Sequence, residues 1–232
     1  MTNNTAFEVE EFAIIGRTFD EYVHMFDLDS KEIESRSILD CPSGVGSFVA
    51  EAKERGASVV GADVIYELPR EDIAERCRRD CDRVTSQLPE KRELFTWEFY
   101  GNVETRARIL ERAYTGFLSN YSNETARGRY VPAALPELPF EDDSFSLVLS
   151  AHFLFLYGDR LDYEFHLASL RELLRVADDE VRVFPLVGLD TEPYDRLDGI
   201  LSALEADGYS PEIATVPFEF QKGANEMLVV EA

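Results

Sequence analysis

The chain has 232 residues, and its content of 45% hydrophobic and 12% aromatic residues excludes an intrinsically disordered protein. It carries 23 basic and 46 acidic residues, and the resulting net charge of -23 disfavours binding to the phosphate backbone of a nucleic acid. No apolar run approaches the ~20 residues of a membrane span and no secretory signal is visible, so we expect a cytoplasmic protein without a membrane partner.

The first third of the chain predicts a helix followed by a strand, a helix and a second strand. Residues 16–26 have the capping residues and the apolar spacing of an amphipathic helix. Residues 37–40 are predicted as a short strand, residues 48–55 as a helix closed by Gly56, and residues 58–63 as a second strand. Two strands joined by a helix in this way form a right-handed unit with parallel strands.

A long segment, residues 67–129, separates the second strand from the next one, which we place at residues 130–134. A connection of this kind usually needs only one helix and a few further residues. The pattern predicts helices over residues 71–88, 94–100 and 104–118. We interpret the segment as a helical insertion in a single domain that spans residues 1–232.

The rest of the chain alternates strands with helices and closes with two strands. Strands are predicted over residues 145–150, 180–186, 213–220 and 226–230, helices over residues 163–176 and 194–207, and a turn at Lys222-Gly223. The fold class is therefore α/β: a Rossmann-like, mostly parallel seven-stranded sheet with helices on both faces and a C-terminal antiparallel hairpin.

The distribution of charge leaves two interpretations open. The insertion holds 12 basic and 12 acidic groups, so the negative charge of the chain resides outside it. Its arginines either pair with acids of the protein itself, which we favour, or face an anionic partner. Only four basic residues are lysines, and an acid-rich, lysine-poor composition is typical of halophilic proteins, although an acidic surface for a cationic partner is the alternative.

The three cysteines predict neither a disulfide framework nor a metal site. They are Cys41, Cys77 and Cys81, an odd number. Two thiols without a nearby histidine make a poor zinc site, so no metal is predicted.

The loop after the first strand carries the clearest ligand-binding pattern. Gly44 and Gly46 allow a tight turn and let backbone N–H groups approach a ligand, but Val49 replaces the third glycine of a dinucleotide fingerprint. Asp40 beside this loop would repel a pyrophosphate and attract an ammonium group. Asp63, at the end of the next strand, is placed to accept hydrogen bonds from two ribose hydroxyls, which suits any adenosine ligand.

These residues resemble the class I S-adenosylmethionine-dependent methyltransferases. Leu39-Asp40 with Gly44-Val45-Gly46 matches the first motif of that family, Gly61-Ala62-Asp63 matches the second, and residues 138–148 are similar to its run into the fourth strand. The resemblance covers most of residues 36–187 and implies S-adenosyl-L-methionine as the cofactor. The cofactor-binding residues that we predict are Tyr22, Asp40, Cys41, Pro42, Ser43, Gly44, Gly46, Asp63, Val64 and Ser150.

The sequence departs from that family where the adenine would bind. Ala134 stands at the position of an acid that holds the adenine amino group in many members. We therefore expect backbone and apolar contacts to adenine, with Val64, Ile65 and Leu135 as candidates.

Candidate catalytic residues follow the strand over residues 145–150. His152 is a candidate general base or orienting group, because an unperturbed histidine titrates near neutrality, and Tyr157 is a second candidate. A buried histidine bonded to the backbone is the alternative for His152. In the N-terminal helix, Arg17 is a further candidate contact to the cofactor. The aromatic residues of the insertion, which are Phe95, Trp97, Phe99 and Tyr100, form either an acceptor pocket or a local core.

The sequence thus predicts an enzyme that transfers a methyl group from S-adenosylmethionine to a small-molecule acceptor, with no nucleic-acid partner. The acceptor is not specified by any motif. Two alternatives remain: a non-catalytic protein that binds S-adenosylmethionine, and a nicotinamide-dependent oxidoreductase, against which Val49 and Asp40 argue.

Overall fold

A computed structural model describes residues 12–121 and 128–232 and contains one seven-stranded sheet. The strands are β1 (Ser37–Asp40), β2 (Ser58–Ala62), β3 (Tyr130–Val131), β4 (Phe145–Ala151), β5 (Ala177–Phe184), β6 (Ser210–Thr215) and β7 (Glu226–Glu231). Their order across the sheet is β3-β2-β1-β4-β5-β7-β6. The five strands from β3 to β5 are parallel, and β7 runs antiparallel to both of its neighbours. The predicted fold class is confirmed.

Seven helices accompany this sheet in the described ranges and cover both of its faces. They are α1 (Phe19–Met25), α2 (Ser30–Ser35), α3 (Phe48–Glu54), α4 (Arg70–Gln87), α5 (Val103–Asn120), α6 (Tyr163–Val176) and α7 (Leu197–Asp207). Neighbouring strand residues belong to different cores: Ile38 packs with the side of α1, α3, α4 and α5, whereas Leu39 packs with the side of α6 and α7. This alternation follows from the twofold side-chain period of a strand.

The last two strands differ from the predicted hairpin. β6 begins at Ser210 and ends before Val216, and residues 216–225 then connect it to β7. The alternating Val216, Phe218 and Phe220 are buried as a strand pattern requires, but they pack with aromatic residues of the insertion instead of extending the sheet. The predicted bounds of the first strand, 213–220, were therefore wrong, because the alternation of apolar residues continues beyond the strand end at Thr215. The second strand and the turn at Lys222-Gly223 lie where they were predicted.

The insertion contains two of its three predicted helices. α4 and α5 lie close to their predicted positions, and α5 also contacts α3. The predicted helix over residues 94–100 is wrong: a short 3-10 turn ends at Leu94, and Phe95 then forms a bridge with Gln221. Thr96 donates its backbone N–H to the Phe220 carbonyl and the Leu94 carbonyl accepts the Lys222 N–H, so the backbone at 94–96 pairs with residues 220–222 instead of continuing a helix.

Candidate functional site

The glycine loop lies under the N-terminal segment of the protein. Gly44 has a φ of 58°, which favours glycine. A Cβ atom on Gly46 would lie 2.9 Å from the Arg17 carbonyl oxygen, and the Ser47 N–H donates to that same oxygen over 2.9 Å. A Cβ on Gly16 would in turn meet the Val45 backbone. The small residues of the loop therefore admit residues 16–17 of the protein itself, a use that the motif did not predict.

Asp40 is buried behind two hydroxyl groups. The hydroxyl of Tyr22 donates to Oδ1 over 2.9 Å, and that of Ser43 donates to Oδ2 over 2.6 Å. Tyr22 is held in place by stacking on Phe48, with ring centroids 4.2 Å apart. Burial raises the pKa of Asp40 to about 7, because a desolvated carboxylate is less stable than the neutral acid.

Asp63 organises the loops that follow β1 and β2. Its Oδ2 accepts the Gly44 N–H over 2.8 Å, and its Oδ1 accepts the Ile65 N–H over 3.0 Å. Burial raises the pKa of this carboxyl, and the two hydrogen bonds oppose that shift. The Gly44 N–H, which the glycine pattern predicts to face a ligand, thus donates to Asp63 instead. Each oxygen keeps a further lone pair for a hydrogen bond from a ligand.

A cavity of about 370 Å³ lies at the carboxyl ends of the parallel strands. Its walls come from the residues that follow β1, β2 and β3, from the end of β4 and from residues 12–17. At this point the direction of strand addition reverses: β2 and β3 lie on one side of β1, and β4 lies on the other. Open α/β sheets bind their ligands at such a switch point, and the volume falls in the range of ~300–1,000 Å³ typical of ligand pockets.

Most of the predicted site residues share this cavity. Those that line it are Tyr22, Cys41, Pro42, Ser43, Gly44, Asp63, Val64, His152 and Tyr157. Asp40, Gly46 and Ser150 lie outside its wall: Asp40 is covered by Tyr22 and Ser43, Gly46 packs on Arg17, and Ser150 is fully buried in β4. Ser150 Oγ has no hydrogen-bond partner in residues 12–121 and 128–232.

One wall of this cavity is apolar. It contains the three predicted adenine contacts, Val64, Ile65 and Leu135, together with Ala133 and Ala134. Val64 is 53% exposed, which is unusual for a valine next to a buried strand. Since Ala134 stands among these residues, the wall offers surface for a flat apolar group and no carboxylate at that position.

His152 borders both this cavity and a second, smaller one. Its φ of 53° is uncommon for a residue with a side chain, and its backbone N–H donates to the Phe184 carbonyl over 2.6 Å. Within the described part of the chain, Nδ1 has no hydrogen-bond partner. Burial, together with the positive charges of Arg17 and Arg106, holds the pKa of His152 well below its usual range, so the imidazole is neutral at physiological pH.

Tyr157 anchors the N-terminal segment. Its hydroxyl oxygen accepts the Ala13 N–H over 3.0 Å, and burial raises the pKa of the phenol. The hydroxyl therefore remains protonated and holds residues 12–17 over the cavity. This contact gives Tyr157 a structural role alongside the catalytic candidacy that the sequence assigned to it.

The sequence prediction missed several residues of these walls. Residues 12–15 line the larger cavity, and Arg76 reaches it from α4. Tyr66 donates its hydroxyl to the Gly44 carbonyl over 2.8 Å, which fixes the glycine loop from the other side. The apolar run Ala13-Ile14-Ile15 before the capped helix was a signal for the first of these contacts, since such a run is rarely solvated.

The smaller cavity, of about 70 Å³, lies between the insertion and the ends of β4 and β5. Arg17, His152 and Tyr157 line both cavities. Phe95 and Tyr100 line the smaller one, so part of the aromatic cluster of the insertion does border a pocket. The aromatic residues of the insertion therefore both pack as a local core and line a pocket.

Residues 12–121 and 128–232 contain no group of three or more His, Cys, Asp or Glu side chains arranged to hold a metal ion. None of the helices described there has the length and apolarity needed to cross a bilayer.

The strand order and the cleft define a protein of the Rossmann-like methyltransferase fold. No known family model matches the chain. It is 36% identical over 223 residues to the uncharacterized protein MJ0045 of Methanocaldococcus jannaschii, and the alignment covers 96% of this chain and 97% of that protein. The chain therefore belongs to the same protein family as MJ0045.

Solved structures give more distant similarities. An S-adenosylmethionine-dependent methyltransferase from Aquifex aeolicus has a TM-score of 0.41 at 14% identity, covering 86% of this chain and 82% of that one. Magnesium protoporphyrin IX methyltransferase from Synechocystis, solved with S-adenosylmethionine, has a TM-score of 0.46 at 15% identity, covering 92% and 77%. The PH0226 protein of Pyrococcus horikoshii has a TM-score of 0.47 at 14% identity, covering 91% and 89%.

Proposed function

We propose that this protein is an S-adenosylmethionine-dependent methyltransferase with a small-molecule acceptor. The observation that carries the proposal is the 370 Å³ cavity, which brings the loops after β1, β2 and β3 and the end of β4 to one place with Asp63 in its wall. S-Adenosylmethionine would supply an electrophilic methyl group on sulfur. The residues of the chain would bind it, exclude water and orient the acceptor.

The wall fits an adenosine at two points. The lone pairs that Asp63 retains after its bonds to Gly44 and Ile65 accept two ribose hydroxyls. The neighbouring apolar wall, with Val64 and Leu135, would offer the adenine ring an apolar surface. This arrangement supports an adenosine ligand without distinguishing S-adenosylmethionine from a dinucleotide.

The amino acid end of the ligand supplies the distinction. Tyr22 and Ser43 line the cavity and donate their hydroxyl protons to Asp40, so the lone pairs of both oxygens are free to accept from an ammonium group. Asp40 then acts as a positioning residue that fixes the orientation of these two hydroxyls, and with a pKa near 7 it carries a negative charge in part of the molecules at neutral pH. A pyrophosphate at the same place would meet two acceptor oxygens and a buried carboxylate, which is repulsive.

His152 is the candidate group nearest to the reaction. It lies where the two cavities meet, and its neutral imidazole is able to accept a hydrogen bond or a proton from an acceptor. In a transfer, bound S-adenosylmethionine would give its methyl group to the acceptor and leave as S-adenosylhomocysteine, and His152 or solvent would take up the proton that the acceptor loses.

Calorimetric titration with S-adenosylhomocysteine and, separately, NAD tests the cofactor. We expect binding of the first, and a loss of about 100-fold in affinity in Asp63→Asn, because two hydrogen bonds to a charged acceptor are weakened. Asp178→Asn, a change of an exposed aspartate at the start of β5, is the matched control and should bind like the wild type. Binding of NAD in preference to S-adenosylhomocysteine would refute the proposal.

A screen with labelled methyl groups tests the reaction. The protein is incubated with S-adenosylmethionine carrying a ¹³C-methyl group and a metabolite extract, and products heavier by one labelled methyl are identified by mass spectrometry. Tight binding of S-adenosylhomocysteine without any labelled product would instead support the non-catalytic alternative.

A further inference from the structure

Arg106 of α5 is a buried arginine with unused hydrogen-bond donors. It is 3% exposed, and its Nε and Nη1 atoms have no hydrogen-bond partner in residues 12–121 and 128–232. The guanidinium lies 4.6 Å from the centre of the Phe220 ring and 5.6 Å from that of Tyr100. Contacts to aromatic rings satisfy the charge in part but supply no oxygen or nitrogen acceptor to Nε and Nη1. Buried donors of this kind are costly unless a ligand supplies the acceptor.

The charges around Arg106 leave an excess of positive charge. Glu21, which is fully buried, lies 3.6 Å from Arg17 and accepts hydrogen bonds from both the N–H and the hydroxyl of Thr18. It also accepts the Tyr100 hydroxyl, so three of the roughly four lone-pair positions of its carboxylate are occupied, and none of these three donors is Arg106. Two arginines and one carboxylate sum to a single positive charge, and the low pKa of His152 keeps that imidazole from contributing another.

The smaller cavity reverses the charge bias of the whole chain. Two arginines, Arg17 and Arg106, are in its wall, and no Asp or Glu of residues 12–121 and 128–232 lines it. The chain as a whole has 46 acidic and 23 basic residues. The rest of the wall of the smaller cavity is mostly aromatic and aliphatic and includes Phe184 and Phe218. An anion with an apolar body therefore matches this cavity better than a strongly hydrated one.

The volume restricts what enters. A water-sized group occupies ~10–15 Å³ by this measure, so a cavity of about 70 Å³ accommodates roughly five to seven non-hydrogen atoms. This is the size of a short organic acid or of the carboxylate end of a larger one. The shared wall at His152 then places the other end of such a molecule against the larger cavity.

We propose that the smaller cavity binds the carboxylate of the methyl acceptor, that Arg106 receives it, and that the acceptor is consequently an organic acid. The inference rests on the proposed methyltransferase function and gives its substrate class. Arg106 acts as a binding residue, and the insertion that carries it supplies the specificity.

Butyrate, which has six non-hydrogen atoms, is a suitable probe for NMR titration of the whole protein. We expect the Arg106 Nε–H resonance to shift with butyrate concentration, and butyramide, of the same size but neutral, to bind at least tenfold more weakly. Ligand-observed NMR should show at least a tenfold loss of butyrate affinity in Arg106→Met. Arg108→Met, on the exposed side of the same helix, is the matched control and should retain it.

Equal binding of butyrate and butyramide, an unshifted Arg106 resonance, or tighter binding of inorganic phosphate than of butyrate would overturn the assignment. The resonance is read in the wild type, so the test does not depend on a variant that folds. Thermal melting supplies a second measurement: Arg106→Met should melt no lower than the wild type, because an unpaired buried charge is removed. A large fall in melting temperature would indicate a purely structural role.

Titration of the same sample with S-adenosylhomocysteine separates this inference from the proposed function. A response to butyrate without binding of S-adenosylhomocysteine would refute the methyltransferase function alone. Binding of S-adenosylhomocysteine without any response of Arg106 to butyrate would refute the carboxylate site alone.

Discussion

The two cavities of this protein are built in different ways. Most of the larger one comes from short segments that directly follow parallel strands, such as residues 41–44 after β1 and Asp63 after β2. The smaller one is assembled from segments far apart in the chain, including α4, α5, the end of β5 and residues 216–225.

Because they are built differently, the two cavities should tolerate sequence changes to different degrees. Residues at the ends of parallel strands are held by the sheet itself, so the larger cavity is tied to the fold. The smaller cavity depends on an insertion and a connection, which can change without altering the strand order. We therefore expect cofactor binding to depend on the sheet and acceptor choice to depend on the insertion, with Ala13, Ile15 and Arg17 lining both cavities.

The largest expected effect concerns Asp40 beneath the larger cavity. Its pKa is about 7 in the folded protein and near 3.8 when unfolded, so the folded state binds the extra proton between these values. Folding stability should therefore fall as the pH rises from 4 to 7, on the order of 4 kcal/mol at ~1.4 kcal/mol per pKa unit. Urea unfolding at several pH values measures this loss.

Asp40→Asn removes the titrating group, and its pH profile should be flatter than that of the wild type by this amount. Asp178→Asn, in which an exposed aspartate is changed, should keep the wild-type slope. Parallel profiles for Asp40→Asn and the wild type would show that Asp40 is not the group that titrates.

The second effect concerns the wall that the two cavities share. In Gly16→Ala the new Cβ would lie 2.4 Å from the Val45 carbonyl oxygen, and backbone cannot move away as a side chain can. We expect a loss of about 3 kcal/mol in the free energy of unfolding, and weaker binding of both S-adenosylhomocysteine and butyrate.

Gly199→Ala in α7 is the control for this change. Its Cβ meets the Tyr163 ring at 3.5 Å, an ordinary contact, and removal of a helical glycine should stabilise the protein by about 0.5–1 kcal/mol. If Gly16→Ala weakens the binding of only one of the two ligands, the N-terminal segment does not support both cavities.

A smaller effect is expected from Tyr22→Phe, which touches only the larger cavity. The phenylalanine keeps the stacking on Phe48 and loses the hydroxyl between Asp40 and the cavity. Affinity for S-adenosylhomocysteine should fall by about tenfold, the effect of one hydrogen bond, while butyrate affinity stays unchanged. Calorimetry measures the first and NMR the second.

Tyr163→Phe is the matched control, because the Tyr163 hydroxyl bonds to the Gly199 carbonyl away from both cavities. An equal loss of S-adenosylhomocysteine affinity in the two variants would contradict the role of Tyr22.

The last prediction is that the protonation state of His152 does not change with pH. Because burial and two nearby arginines lower its pKa well below the usual range, its ring should stay neutral across the pH range in which an unperturbed histidine titrates. The ¹⁵N chemical shifts of the imidazole, followed across that range, should show one protonated and one unprotonated nitrogen throughout. A titration centred near pH 6.5 would remove the electrostatic basis for a neutral His152 between the cavities.

Local patterns of the sequence determined the strands β1, β2 and β4, the helices α3 and α6, and the grouping of Asp63 with the glycine loop. These features depend on neighbouring residues: side-chain periods, a capping glycine, and the rule that parallel strands bring their carboxyl ends together. The sequence also identified the aromatic residues of the insertion, without deciding what they surround.

Only the tertiary structure decided how distant segments meet. It placed residues 12–17 over the glycine loop, interposed Tyr22 and Ser43 between Asp40 and the cavity, and paired Phe95 with Gln221. It also buried Arg106 without an acceptor for its Nε and Nη1 atoms in the described ranges. Apart from the contact of Ser43 with Asp40, these pairs lie 18 or more positions apart in the chain. Side-chain periodicity carries no information about which distant buried surfaces face one another.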